Sequence, residues 1–138
     1  MATFNKFQKF ARDLGLGVHN LDTGALKIYL SNTAPNAATH TVKADLAEIA
    51  TGNGYTGAID VGAAYAEATG TGTLTAIDQV ITATGGTVGP FRYVVFFNDT
   101  PTSPADPLVG WWDYGSSITL ADGETFTTDF GASVLTIA

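Results

Sequence analysis

Eight consecutive residues, Phe91-Arg92-Tyr93-Val94-Val95-Phe96-Phe97-Asn98, constrain this chain more than any other segment. Side chains alternate across a strand, so Phe91, Tyr93, Val95 and Phe97 face one way, and Val94 and Phe96 the other. A strand that is apolar on both faces needs cover on both sides, which places it centrally in a sheet between packed layers. The loop at 99–106 follows, where Pro101 and Pro104 cannot continue a ladder, and a strand at 108–114 returns to complete a long hairpin. Ile118-Thr119-Leu120, the turn Ala121-Asp122-Gly123-Glu124 and the segment 125–130 predict a second hairpin, because Asp-Gly suits a tight turn. Residues 134–137 close the chain as a last strand.

The first two thirds of the chain carry the same punctuation. Leu26, Ile28 and Leu30 fall on one face of an alternating strand, and the loop at 32–39 holds Pro35. Val42, Leu46 and Ile49 have the spacing of one or two helical turns. Gly52-Asn53-Gly54-Tyr55 reads as a tight turn. Ile59, Val61 and Tyr65 share a strand parity, and the Thr-rich stretch 71–84 suits one long strand or two short ones. The only clear helical pattern lies at 3–14, where Phe4, Phe7, Ala11 and Leu14 recur with helical spacing and Phe10 widens the stripe. Thr3 is placed to cap its start, and Gly15 and Gly17 to end it. About eight strands at spacings of about ten residues predict an all-β chain, a jelly-roll-like β-sandwich with a short N-terminal α-helix. The expected division is a helical segment at 1–17 and a β-sandwich domain at 18–138.

Composition narrows the function classes. Hydrophobic residues make up 45% and charged residues 14% of the 138, which argues against disorder. A net charge of −7 disfavours nucleic acid, whose phosphates attract clustered Lys and Arg. With no cysteine, disulfides and thiolate metal sites are excluded. No apolar run approaches the roughly 20 residues that cross a bilayer, and no secretory signal is read at the start, so no membrane partner is expected. The charge is also polarised: Lys6, Lys9 and Arg12 are half of the six basic residues, and all thirteen acids come after Arg12.

A search for reactive constellations assigns no catalytic, cofactor-binding or metal-ligating residue. His19 and His40 lack ligand spacing and read as turn or surface histidines. Gly70-Thr71-Gly72 and Gly85-Gly86 lack the Lys-Ser/Thr ending of a phosphate loop and read as turns. Asp60, Asp78, Asp113 and Asp129 offer carboxylates, but nothing singles out a pair. Asn98, Asp99 and Asp106 are a calcium option, set against the simpler role of satisfying turn backbones. Trp111 and Trp112 are adjacent and therefore point to opposite faces of a strand. One is expected in the core, and the other under a neighbouring subunit or, less favoured, as a sugar platform. The basic helix either packs its Phe stripe on the sandwich or docks on an acidic assembly.

Several motifs go beyond pattern. Gly89-Pro90-Phe91-Arg92-Tyr93, Asn98-Asp99-Thr100-Pro101 and Asp106-Pro107-Leu108-Val109-Gly110-Trp111-Trp112-Asp113-Tyr114-Gly115 resemble a family of small tailed-bacteriophage virion proteins. So do Leu120-Ala121-Asp122-Gly123-Glu124-Thr125-Phe126, Val134-Leu135-Thr136-Ile137, the opening Phe4-Asn5-Lys6-Phe7, and the run from Leu26 to Pro35. Glu48-Ile49-Ala50-Thr51-Gly52-Asn53-Gly54-Tyr55-Thr56 is similar too, although Gly57-Ala58-Ile59 departs from the Ala-Gly-Gly that family members tend to carry. The resemblance spans nearly the whole chain. It implies a non-enzymatic virion structural protein without cofactors, made in the host cytoplasm, and first of all a capsid decoration (cement) protein bound outside the head. A receptor- or glycan-binding module of a head spike or tail fibre, and a tail-tube or connector subunit, are the alternatives. The expected partners are the major capsid protein or other virion proteins, and further copies of the chain in a homo-oligomer, with a trimer as one arrangement. Phe4, Lys6, Phe7, Lys9, Phe10 and Arg12 are the expected anchor, and Trp111, Trp112 and Tyr114 the candidates for inter-subunit burial.

Overall fold

The computed structural model describes residues 2–138. In chain order the elements are β1 (Phe4–Lys6), α1 (Gln8–Gly15), β2 (Leu26–Ser31), β3 (Ile59–Asp60), β4 (Ala64–Ala68), β5 (Thr71–Thr75), β6 (Gln79–Thr82), β7 (Val88–Asn98), β8 (Leu108–Leu120), β9 (Thr125–Thr128) and β10 (Leu135–Ile137). The chain is mostly β with one short α-helix near its start, as its sequence implies. Its largest sheet has the order β1-β8-β7-β2-β3, a second sheet is β10-β5-β4, and a third is the pair β6-β9. All of these pairings are antiparallel.

The doubly apolar segment lies at the centre of the large sheet, between β8 and β2. Leu26, Ile28 and Leu30 of β2 share one face with Val94 and Phe96, and this face packs against Leu74 of β5, Ile81 of β6, Phe130 and Val134. The two smaller sheets therefore cover that side as a second layer. Tyr29, Tyr93, Val95, Phe97 and Leu108 line the opposite face, where Phe7 and Leu46 cover them. Phe91 departs from simple alternation and joins the Val94 and Phe96 side. The register breaks here: between the pairs Phe91–Ile118 and Tyr93–Asp113, β8 advances five residues while β7 advances two. Such an insertion reorients the side chains beyond it.

Four expectations are corrected. The helix does not begin at Thr3. Residues Phe4–Lys6 form an edge strand paired with Gly110–Trp112, and α1 starts after Phe7, which has extended φ and ψ and no side-chain cap. The unpaired edge of β8 is the physical reason, since it offers a row of backbone donors and acceptors that a helix cannot use. Gly110 makes the pairing possible, because a Cβ there would strike the Phe4 ring and sit 2.5 Å from the Asn5 carbonyl oxygen. The second expected hairpin does not form either. The segment Ala121–Glu124 does turn, with the Glu124 N–H donating to the Ala121 carbonyl at 2.9 Å, but β9 pairs with β6 instead of returning on β8. Val61 lies beyond the end of β3, so Ile59, Val61 and Tyr65 do not share one strand. The helical turns expected from Val42 to Ile49 reduce to a single 3-10 turn at Lys43–Asp45.

Other local readings hold. The Thr-rich stretch resolves into two strands, β5 and β6. Gly52 and Tyr55 exchange backbone hydrogen bonds of 2.8 and 3.1 Å around the tight turn.

Candidate functional site

The residues proposed as an N-terminal anchor diverge in space. The Phe4 ring lies 5.1 Å from that of Trp112, Phe7 4.7 Å from Trp111, and Phe10 5.1 Å from His19. Phe7 and Phe10 are buried within their own chain, and Phe4 is half-buried. Lys6 and Arg12 remain exposed, and Lys9 is half-buried. The expected Phe stripe is thus spent on internal packing, and what α1 presents outward is charge. The tryptophans point to opposite faces as read, but neither stands free. Trp112 is buried among Phe4, Phe96 and Phe130, while Trp111 is half-buried against the chain's own Phe7. Tyr114 is half-buried, with its ring 4.9 Å from Phe126. Burial, and then the charges of Asp129 and Asp78, raise its phenol above the ordinary value.

The most distinctive polar arrangement lies where α1 meets the end of β7. Asp13 is 1% exposed and His19 7% exposed. The Asn98 amide nitrogen approaches His19 Nδ1 at 3.2 Å, while Asn98 Oδ1 accepts the Thr100 N–H at 3.1 Å. Nδ1 is therefore the acceptor, and the proton of the neutral ring resides on Nε2. That Nε2 and both Asp13 carboxylate oxygens are buried without hydrogen-bond partners among the described residues. Among the described residues, Lys9, at 4.0 Å, and Arg12, at 3.9 Å, balance the Asp13 charge. Burial lowers the His19 pKa, partly opposed by the charge of Asp13. Asp13 belongs to no motif with ligand or catalytic spacing in the sequence. Its signal is its position three residues after Phe10, on the inward side of the helix.

His19 also forms one wall of a surface cleft of about 560 Å³. Leu14, Leu21, Tyr65 and Ile137 supply its apolar lining, and Asp22 its carboxylate. The Asp22 Oδ1 accepts the Tyr65 N–H at 3.4 Å, tying the loop after α1 to β4.

The remaining polar candidates have local structural work. Asp60 accepts the N–H of Gly62, Asp78 that of Phe130, and Asp129 that of Gly131, each at 2.8 Å. Asp113 takes a two-pronged contact from Arg92 at 2.8 and 3.1 Å, which holds its carboxyl below the ordinary carboxylate value. His40 Nδ1 accepts the Asn36 N–H at 3.0 Å. Of the calcium option, Asn98 is turned inward to His19 and Asp99 is held by Lys27 at 2.6 Å. Asp106 is pushed upward by burial and by its contact with Asp99. Among the described residues, no group of three or more His, Cys, Asp or Glu is placed to hold a metal ion. No helix among them is long and apolar enough to cross a membrane.

No family model matches the chain, and no curated protein or solved structure matches it.

Proposed function

We propose that this chain is a structural subunit of a tailed-phage virion, most directly a decoration protein seated on the outside of the head against the major capsid protein. What supports this reading is the resemblance of sequence motifs along nearly the whole chain to those of small tailed-phage virion proteins. In the fold those motifs occupy framework positions. Gly89 and Pro90 lie in β7, and Trp112 anchors the core. Thr100 and Asp99 lock the end of the central hairpin to Ala25, through hydrogen bonds of 2.7 and 2.8 Å. They are fold markers, in keeping with a protein whose product is a surface. Two packed β layers support a sandwich. The pairing of strands distant in the chain, β1 with β8, β2 with β7, β5 with β10 and β6 with β9, is in keeping with a jelly-roll-like wiring.

On a symmetric shell each copy needs only modest affinity, because many contacts act together. The exposed cations of the N-terminal segment, Lys6 and Arg12, are the contact we assign to the capsid, while Lys9 is half-buried beside Asp13. Deleting residues 1–14 is a poor test, since it removes β1 and the buried Phe7. The informative experiment is co-sedimentation of the intact chain, and of a Lys6→Glu variant, with empty heads. Saturable binding at a fixed copy number, weakened in the variant, supports the proposal. Failure of the intact chain to bind overturns it. Binding to host glycans instead would favour a receptor module, and rings in electron micrographs a tail-tube or connector subunit.

A further inference from the structure

We propose that His19 is an acid-operated latch between α1 and the end of β7: its neutral ring is tied to Asn98, and its protonated ring leaves Asn98 for the Asp13 carboxylate. The inference goes beyond the virion reading and does not depend on it. It stands on two buried partners that select opposite charge states of one ring. Asn98 selects the neutral form. Its Oδ1 accepts the Thr100 N–H at 3.1 Å, so turning the amide over would set its NH2 against that donor. Nor can the side chain swing aside, because Gly24 packs against it, and a Cβ there would sit 3.2 Å from both Nδ2 and Oδ1. The amide nitrogen therefore faces His19 Nδ1 as a donor, at 3.2 Å. An imidazolium carries a proton on both nitrogens and accepts at neither, so protonation sets two donors against each other.

Asp13 selects the charged form. Both of its buried carboxylate oxygens lack hydrogen-bond partners among the described residues. Lys9 and Arg12 approach it from the same helix at 4.0 and 3.9 Å, too far to hydrogen-bond. Asp22 and Tyr65 share the cleft lining with His19, and Asp99, next to Asn98, is held by Lys27. Of these groups, Asp13 is the one whose charge acts on the ring. The residue before His19 is already fastened to α1, since the Val18 N–H donates to the Asp13 carbonyl at 2.9 Å. Moving the ring from Asn98 to Asp13 thus shifts the hold on residues 18–24 from sheet to helix, and loosens the wall that His19 gives the cleft. Burial of the ring, the larger influence, places this change below the ordinary histidine value.

The test is a titration of the full chain from about pH 8 to about pH 4, read by nuclear magnetic resonance of the imidazole nitrogens and by amide hydrogen exchange. A His40→Gln variant identifies the His19 signals, since the chain has two histidines. The neutral ring should carry its proton on Nε2. As it titrates, the amides of residues 18–24 should exchange roughly tenfold faster or more, while those of residues 94–96 keep their protection. Asn98→Asp puts an acceptor where the donor stands. Its midpoint should rise by about one to three pH units, and the acid-induced exchange should disappear. Asp13→Asn keeps the shape of the side chain and should lower the midpoint. Near-ultraviolet circular dichroism confirms that each variant is folded. A neutral ring protonated on Nδ1 overturns the proposal. So does a titration that leaves exchange at 18–24 unchanged, or one that strips protection equally from 94–96, which is ordinary acid unfolding. An Asn98→Asp midpoint at or below that of the wild type also overturns it. Should that variant not fold, an unmoved Asp13→Asn midpoint does so alone.

Discussion

Phe7 separates the internal role of the N-terminal segment from an external one. If its ring were part of an exposed anchor, replacing it would leave stability nearly unchanged and affect only partner binding. In the structure it is 0% exposed, covers Tyr29, Val95 and Phe97 on the second face of the large sheet, and lies 4.7 Å from Trp111. Phe7→Ala removes a fully buried ring and leaves a cavity that the sheet can close only in part. Such losses cost about 3–5 kcal/mol, including the aromatic contact with Trp111. For a chain of this size that corresponds to a fall in melting temperature of roughly 10–20 °C. Urea unfolding followed by tryptophan fluorescence should show a lower midpoint at an unchanged slope. Trp111 should become more solvent-exposed in the native baseline. A variant as stable as the wild type would refute the placement of Phe7 and, with it, the covered second face.

Gly110→Ala should detach β1 or strain its pairing, because the new methyl meets the Phe4 ring and the Asn5 carbonyl. We expect a loss of about 1–3 kcal/mol, with faster hydrogen exchange confined to the first strand and its β8 partners. Tyr55→Phe leaves the buried Leu30 N–H without the phenol oxygen it donates to at 3.0 Å, and should cost about 1–3 kcal/mol in thermal or urea unfolding. His19 has a lowered folded-state pKa, so the unfolded chain takes up the proton first as the pH falls below the ordinary 6.5. Its contribution is therefore fully present above that value and is lost as the pH drops toward the folded pKa. A His19→Gln variant should show a flatter stability profile in this window. Asp13→Asn removes the charge that opposes the shift, so the His19 ring should titrate at still lower pH by nuclear magnetic resonance.

Much of the framework was legible because it depends on local alternation. The doubly apolar β7, the returning β8 and the inward face of β2 follow from side-chain parity, and the turn at Gly52–Tyr55 from its glycines. What escaped depends on contacts distant in sequence. Phe4, Phe7 and Phe10 have helical spacing, but the open edge of β8 draws Phe4–Lys6 into a strand, so three rings serve three different contacts. The Asp-Gly turn was legible, whereas the partner of β9 was not, because a turn fixes where the chain reverses and not which edge it joins. The face of Phe91 was misread because alternation holds only while the register is regular, and β8 inserts residues opposite it. In the Asp13–His19–Asn98 cluster, His19 and Asn98 alone are 79 residues apart, and no spacing rule links the three.

At the centre stands the proposal that this chain forms part of a virion surface. Cryo-electron microscopy of the purified particles tests it most directly. The account predicts density on the outside of the head, repeated with the lattice, into which the five-stranded sheet fits with the N-terminal cations turned toward the capsid. Particles that lack the chain altogether, established by mass spectrometry of the same preparation, would contradict it.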